Sequence, residues 1–432
     1  MNSRVRFASP ARLLVLAVLA ALVLAATAGW WDRAPDLRGP GPLPPFAAEV
    51  VARGAYLARV GHCAGCHSAR GGADYGGGRV IATPFGSVVA ANLSPDPAAG
   101  IGRWTPAAFR RALAEGRSAD GRALLPACPY PNFALVTPGD ADDLFAYLRS
   151  LPPVKQAVPP HDLHGVSAWP VALTAWRVLH AAPGPTPAAP AGVRADWARG
   201  AYLVGGLGHC GACHGLRNAW GAVAGAWDLR GGELPLQGWI APSLLDPAQA
   251  GVAGWTEDEV VDLLRGGRTA RATVSGPMAV VVAHSTQHWT EADARAAAEF
   301  LRHLPAPAVA PTAPAPQPPE AQLALGAQLY ERHCADCHGK AGEGHGDDGP
   351  ALAGNRALAL PQAANVIRVV LGGGFGPSTP THPRPPGMPP FATRLSDDEL
   401  AAVVTHLRWT WGPRASGVSA FDVNRQRGGD PR

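Results

Sequence analysis

Three stretches decide how this chain is read: His62-Cys63-Ala64-Gly65-Cys66-His67, His209-Cys210-Gly211-Ala212-Cys213-His214 and His333-Cys334-Ala335-Asp336-Cys337-His338. They take six of the seven cysteines, which leaves Cys128 without a free partner. Each stretch occupies the same place in an internal repeat. A helical pattern precedes it, at Gly54-Ala55-Tyr56-Leu57, Gly200-Ala201-Tyr202-Leu203 and Gly326-Ala327-Gln328-Leu329-Tyr330, and a long Gly/Pro-rich loop follows. In the first two copies a second helical segment then opens alike, at Trp104-Thr105-Pro106 and Trp255-Thr256-Glu257. Thr105 with Pro106 makes an N-cap and N1 pair, and Thr256 with Glu259 makes a capping box. Each copy closes on an amphipathic helix, predicted at Asp140–Leu151, Thr290–Leu304 and Ser396–Trp411. In the last, Ser396 and Glu399 form a capping box, and Leu400, Val403, Val404 and Leu407 recur at helical spacing. No strand-period pattern of any length appears, so the expected fold class is all-α.

Composition shifts divide the copies. Ala181–Pro190 is rich in Ala, Pro and Gly. Residues 305–319 are almost wholly Ala and Pro, a semi-extended spacer not expected to pack. Domains are therefore expected near 45–180, 194–304 and 320–413. Residues 1–28 stand apart: Arg4, Arg6 and Arg12 precede an apolar run from Leu13 to Ala26, and Ala26-Thr27-Ala28 suits cleavage. This is the pattern of an export signal, with an uncleaved membrane anchor as the competing reading. Both deliver the rest of the chain outside the cytoplasm, and no later run is long and apolar enough to make a polytopic protein. Charged residues are 16% of the chain and the formal net charge is +4, which leaves no basic footprint for nucleic acid.

Cys-x-x-Cys-His has three chemical readings. A zinc site needs a second ligand pair within the same unit, and none is evident. A thioredoxin-type pair needs a βαβ setting, which is absent. Covalent haem uses every position: two thiols form thioethers to the haem vinyl groups, and the adjacent His becomes the proximal iron ligand. On this reading the chain carries three haems c, attached at Cys63/Cys66, Cys210/Cys213 and Cys334/Cys337, with His67, His214 and His338 on the irons. The predicted fold becomes three cytochrome-c-like domains in tandem.

A sixth ligand is commonly Met or His. The chain has three methionines. Met1 belongs to the leader, while Met278 and Met388 stand in Gly/Pro-rich loops ahead of the closing helices and are the expected sixth ligands. The first unit has no methionine. Cys128, in Leu125-Pro126-Ala127-Cys128-Pro129-Tyr130-Pro131, holds the equivalent place. A thiolate there would lower the potential of that haem. The alternatives are an unligated Cys128 with a five-coordinate iron, or capping by His161 or His164. His62, His209 and His333 are read as solvent-edge residues, and His345, His382 and His406 as surface or loop positions.

These residues resemble the triple-haem cytochrome c subunit of membrane-bound bacterial dehydrogenases that act on alcohols, gluconate, sorbitol and related substrates. The resemblance covers nearly the whole mature chain. It includes Thr83-Pro84-Phe85-Gly86, Asn92-Leu93-Ser94-Pro95-Asp96, Gly100-Ile101-Gly102-Arg103-Trp104, Gly206-Leu207-Gly208-His209, Pro350-Ala351-Leu352-Ala353-Gly354-Asn355 and Arg394-Leu395-Ser396-Asp397. It implies methionine ligands at Met278 and Met388. It also implies a methionine in the first unit, where this chain departs from the pattern with Cys128. The resemblance further implies electron transfer without catalysis, from a periplasmic quinoprotein, flavoprotein or molybdenum dehydrogenase to membrane quinone, a downstream cytochrome or an oxidase. The expected location is the periplasm, at the inner membrane. A rival reading is a haem enzyme acting at a His/Cys haem in the first unit, for instance on thiosulfate; a third is a free-standing soluble carrier.

Overall fold

The computed structural model describes residues 34–41, 43–307, 315–346, 349–412 and 415–428. The leader or anchor reading of 1–28 lies outside them. Among the described residues no helix is long and apolar enough to cross a membrane.

In the first unit α1 (Ala48–Val60) leads into the motif turn α2 (Cys63–His67). A hairpin of β1 (Val80–Thr83) and β2 (Gly86–Val89) follows, then α3 (Pro106–Glu115), the short α4 (Tyr130–Phe133) and the closing α5 (Pro138–Ser150). The strand β3 (Asp162–Leu163) joins β2, and α6 (Pro170–His180) leads towards the second unit. There α7 (Trp197–Ala201) continues as a π-helical turn through Leu207 into the motif turn α8 (Gly211–His214). The strand pair β4 (Gly232–Glu233) and β5 (Ile240–Ala241) precedes α9 (Glu257–Gly266), α10 (Gly276–His284) and the closing α11 (Glu291–Arg302). The third unit has α12 (Glu320–His333), its motif turn α13 (Ala335–His338), α14 (Ala364–Gly372), the pair β6 (Gly374–Phe375) and β7 (Gly387–Met388), the closing α15 (Asp397–Trp411) and α16 (Ala420–Arg427).

Helix starts follow the local chemistry. The Thr105 hydroxyl accepts from the Ala108 amide with Pro106 at N1, and the capping boxes Thr256/Glu259 and Ser396/Glu399 are both formed. The strands are a departure from the strandless expectation. Val80-Ile81-Ala82-Thr83 and Gly86-Ser87-Val88-Val89 pair around Pro84-Phe85, four residues to a side and too short for a periodic signal. Gly86 is required there: at φ +117° it passes so close to β3 that a Cβ would lie 2.2 Å from the Asp162 carbonyl oxygen. The Ala/Pro spacer also departs from expectation at its end, where Pro318 is buried beside Gly417.

What joins first helix to closing helix is the same in all three units. α1 crosses α5 at Gly54, α7 crosses α11 at Gly200, and α12 crosses α15 at Gly326. A Cβ at these glycines would stand 1.9, 1.9 and 2.2 Å from the carbonyl oxygens of Asp143, Ala296 and Ala402. The backbones touch, so the glycine opening each repeat is a packing requirement. Leu57, Leu203 and Leu329, three positions on, are each at most 4% exposed and anchor the core beneath. One apolar core, from Leu57 through Leu301, serves units one and two together; a second, around Leu329, Leu400 and Val404, serves unit three.

Gly326→Ala is expected to cost about 2–3 kcal/mol, because the clash is with backbone and cannot be relieved by a rotamer. The check is thermal unfolding, in which the transition of the third unit should fall while that of the first two holds.

Candidate haem sites

All seven cysteines are free of disulfides. Within each motif the two thiols sit on one short helical turn, reached differently in the three units. His62 and His209 adopt positive φ (50° and 37°) and swing the chain sharply from first helix to motif, whereas α12 runs unbroken through His333.

The proximal histidines share one anchor. His67 Nδ1 lies 2.8 Å from the Ala91 carbonyl oxygen, His214 Nδ1 2.7 Å from that of Pro242, and His338 Nδ1 2.8 Å from that of Pro350. A carbonyl only accepts, so Nδ1 carries the proton and donates. Nε2 is left with its lone pair free to hold a metal. Burial pulls all three rings below the ordinary imidazole value and favours this neutral form. The anchors were not recognised in the sequence because they are main-chain groups. Their trace is a leucine two residues later, at Leu93, Leu244 and Leu352, whose amide is tied to Tyr75, Leu229 and Gly342 respectively. Free paired thiols beside an imidazole with a fixed tautomer are what covalent haem attachment needs, so the residues fit the group.

The expected sixth-ligand residues are placed as follows. Met388 is in β7, paired with Gly374, and borders the same core as Cys334. Met278 is in the first turn of α10, a helix where a loop was expected. Cys128 lies in a turn just before α4. Burial pushes its thiol up to about 12, with a further rise from the nearby Cys66 and Cys63 thiols. His161 is engaged elsewhere, accepting from the Val89 amide at 3.1 Å, and His164 is exposed.

Two histidine expectations are corrected. His62 and His209 are not solvent-edge groups but line a seam between units one and two. His209 Nε2 lies 3.3 Å from the Gly61 carbonyl oxygen, and the His209 ring stands edge-on to Phe133 at 5.6 Å. His62 lies 5.8 Å from His284, and burial pushes it down to about 4. His406, expected at a surface or loop position, is half-buried on α15, where its ring packs against those of Tyr330 and Trp411. His333, by contrast, is exposed.

The seam is reciprocal. Tyr56 donates to Asp293 Oδ2 at 2.5 Å and accepts from the Thr290 amide at 3.2 Å. Tyr202, its counterpart in the repeat, donates to Asp140 Oδ2 at 2.5 Å and accepts from the Thr137 amide at 3.4 Å. Thr137 and Thr290 are the N-caps of the two closing helices. Each unit's first helix thus grips the start of the other's closing helix, an approximate twofold arrangement inside one chain. Asn132 Nδ2 to the Gly205 carbonyl at 2.8 Å and Ser285 Oγ to the Val60 carbonyl at 2.8 Å repeat the pattern. Units two and three meet more simply: Asn365 pairs both ways with the Ile240 backbone, and the Arg356 guanidinium lies 4.7 Å from the Trp255 ring.

Three Cys-x-x-Cys-His turns with Nδ1-anchored histidines define a cytochrome c. The cytochrome c family profile matches residues 51–152 and 323–411. The chain is 37% identical over 88% of its length to the alcohol dehydrogenase (quinone) cytochrome c subunit of Gluconobacter oxydans, covering 82% of that protein. It is 37% identical over 87% of its length to the gluconate 2-dehydrogenase cytochrome c subunit of Pantoea cypripedii, covering 88% of it. It is 31% identical over 88% of its length to the fructose dehydrogenase cytochrome subunit of Gluconobacter japonicus, covering 83% of it. The chain belongs to the family of dehydrogenase cytochrome c subunits and, as a cytochrome c, binds haem c covalently.

Acid should loosen the seam. Burial opposes ionisation of Asp293, but the paired bonds from Arg199 at 2.8 and 2.9 Å and the Tyr56 hydroxyl outweigh it and hold the carboxyl below its usual range. A depressed carboxylate adds stability above its unfolded pKa, and that stability fades as pH falls through the folded value, below about pH 4. Tyr56→Phe and Tyr202→Phe are each expected to cost about 1–2 kcal/mol. In denaturant melts the Tyr56→Phe penalty should shrink on acidification through that window; a penalty constant with pH would contradict the ionised-acceptor assignment.

Proposed function

We propose that the chain is the electron-transfer subunit of a periplasmic, inner-membrane-associated dehydrogenase. It would carry three haems c in three tandem cytochrome-c-like domains and pass electrons from the dehydrogenase subunit to quinone, a downstream cytochrome or an oxidase. The observation that carries the reading is the threefold repetition of one ligand geometry, with the carbonyls of Ala91, Pro242 and Pro350 serving His67, His214 and His338 alike. The names of the relatives supply the dehydrogenase partner.

Bound haem supplies reversible one-electron chemistry at iron. The chain's part is attachment, ligation and spacing. Cys63/Cys66, Cys210/Cys213 and Cys334/Cys337 would attach the haems, and His67, His214 and His338, with Met278, Met388 and Cys128, would be the residues that hold the irons. The Tyr56 and Tyr202 grips hold units one and two in fixed register, and Asn365 and Arg356 hold unit three to unit two. This rigidity suits a relay, which needs constant separations and no moving parts. Cys128 makes the first unit unlike the others. Cys128 is half-buried and its thiol is pushed up from the ordinary value by desolvation, so holding iron there as a thiolate would require the loss of its proton.

The alkaline pyridine spectrum should give three haems per chain, and two in Cys210→Ser/Cys213→Ser. A wild-type count of two would overturn the three-site reading. In the oxidised wild type, electron paramagnetic resonance should show a low-spin thiolate signal that vanishes in Cys128→Met, with a rise in one reduction potential and no change in the other two. Wild-type spectra with only His/Met features would exclude the thiolate. Reduction by the co-purified dehydrogenase and its substrate tests the relay itself; a chain that stays oxidised would contradict it.

A further inference from the structure

In units two and three the loop that carries the histidine's carbonyl anchor is held from across the unit boundary. In unit two that loop is β5 with the residue after it. Ile240 pairs with Glu233 of β4 and presents its own N–H and C=O to the open edge of the strand pair. Asn365, in the first turn of α14 in unit three, closes this edge. Its Nδ2 donates to the Ile240 carbonyl at 2.7 Å, and its Oδ1 accepts from the Ile240 amide at 2.8 Å. Two residues on, the Pro242 carbonyl holds His214 Nδ1. The turn before Ile240 is pressed on the same helix. Gly238, at φ +66°, comes so close that a Cβ would lie 2.7 Å from Arg368 Nη1, and the Arg368 guanidinium lies 5.4 Å from the Trp239 ring.

Unit two returns the contact. Arg268, two residues after α9, donates from Nη2 to the Gly346 carbonyl and lies 3.4 Å from that of Gly349. Gly349 is buried on the third motif itself, where a Cβ would stand 2.0 Å from the Cys337 carbonyl oxygen. The very next carbonyl, that of Pro350, holds His338 Nδ1. The matching loop of unit one is held by its own unit: the Val89 amide donates to His161 Nδ1 at 3.1 Å, the Ala90 amide to the Arg79 carbonyl at 2.9 Å and Asn92 Nδ2 to the Val154 carbonyl at 2.7 Å.

We propose that units two and three position each other's motif histidine: Asn365 of unit three fixes the Pro242 carbonyl for His214, and Arg268 of unit two fixes the Pro350 carbonyl for His338. The proposal rests on the reading of both histidines as haem ligands. An Nδ1 proton is shielded from water only while its carbonyl stays in place, and a side chain that ties the loop across the boundary opposes local opening. Asn365 and Arg268 are thus positioning residues that act through main chain. Parting units two and three would loosen both of their sites together and leave unit one intact.

Exchange of the histidine Nδ1 protons with solvent tests this, measured by nitrogen-15 NMR on the reduced, haem-loaded full chain, with each signal assigned through the residues of its own motif. Asn365→Ala, a change in unit three, should speed exchange at His214 by about tenfold and leave His338 and His67 unchanged. Arg268→Ala, a change in unit two, should speed exchange at His338 and leave His214 and His67 unchanged. Asn365→Asp keeps the size and the acceptor but loses the donor, and should act as Asn365→Ala does even if the alanine chain takes up haem poorly. The reduction potential of the unit-two haem should rise in both Asn365 variants, because a histidine held less firmly at Nδ1 is a weaker donor to iron. The proposal is overturned if each change acts on the histidine of its own unit, if all three histidines respond alike, or if none responds. The haem reading is scored separately, by the haem count of the wild type and by its reduction with dehydrogenase and substrate.

Discussion

Backbone contact between two helices, with no side chain between them, is the constraint from which the rest of this protein follows. At Gly54, Gly200 and Gly326 the first helix of each unit lies directly on a carbonyl of the closing helix. The crossing fixes where the first helix ends and therefore where the Cys-x-x-Cys-His turn begins. The loop that follows then returns a carbonyl to the histidine Nδ1. In this way one close helix crossing sets the position and the tautomer of the motif histidine some distance away.

Repetition of the unit has a second consequence. Because Tyr56 and Tyr202 are the same position in the repeat, and Thr290 with Asp293 matches Thr137 with Asp140, one contact serves twice across an internal twofold. A self-complementary patch of this kind normally joins two copies of a chain. Here it joins two parts of one chain, with a shared apolar core behind it. The third unit lacks this grip: Gln328 stands where the others have tyrosine, and its attachment depends on arginine, asparagine and tryptophan contacts. The three units are therefore equal in ligand geometry and unequal in how they are held.

Much of this was legible in the sequence, and what was legible is local. The motifs, the capping boxes at Thr256 and Ser396 and the closing helices each depend on residues within a turn or two of one another. Cys128 stood out because its neighbours Pro126, Ala127, Pro129, Tyr130 and Pro131 fix the register around it. Tertiary features stayed hidden. The glycines were visible as a repeated letter without a reason, and the carbonyl anchors have no side chain to recognise. His62 and His209 were read as solvent-edge residues because a histidine beside a short motif says nothing about the unit that will pack against it. The β1–β2 hairpin was missed because four-residue strands around Pro84-Phe85 give no sustained alternation.

The central claim is that one backbone-anchored imidazole geometry is built three times. An experimental density map of the haem-loaded protein tests it most directly. The claim predicts thioether density at all three cysteine pairs, with Nε2 of His67, His214 and His338 turned to iron and each Nδ1 on the carbonyl of Ala91, Pro242 or Pro350. A disulfide within any of the pairs, or any of the three rings with Nδ1 turned to the metal, would contradict it.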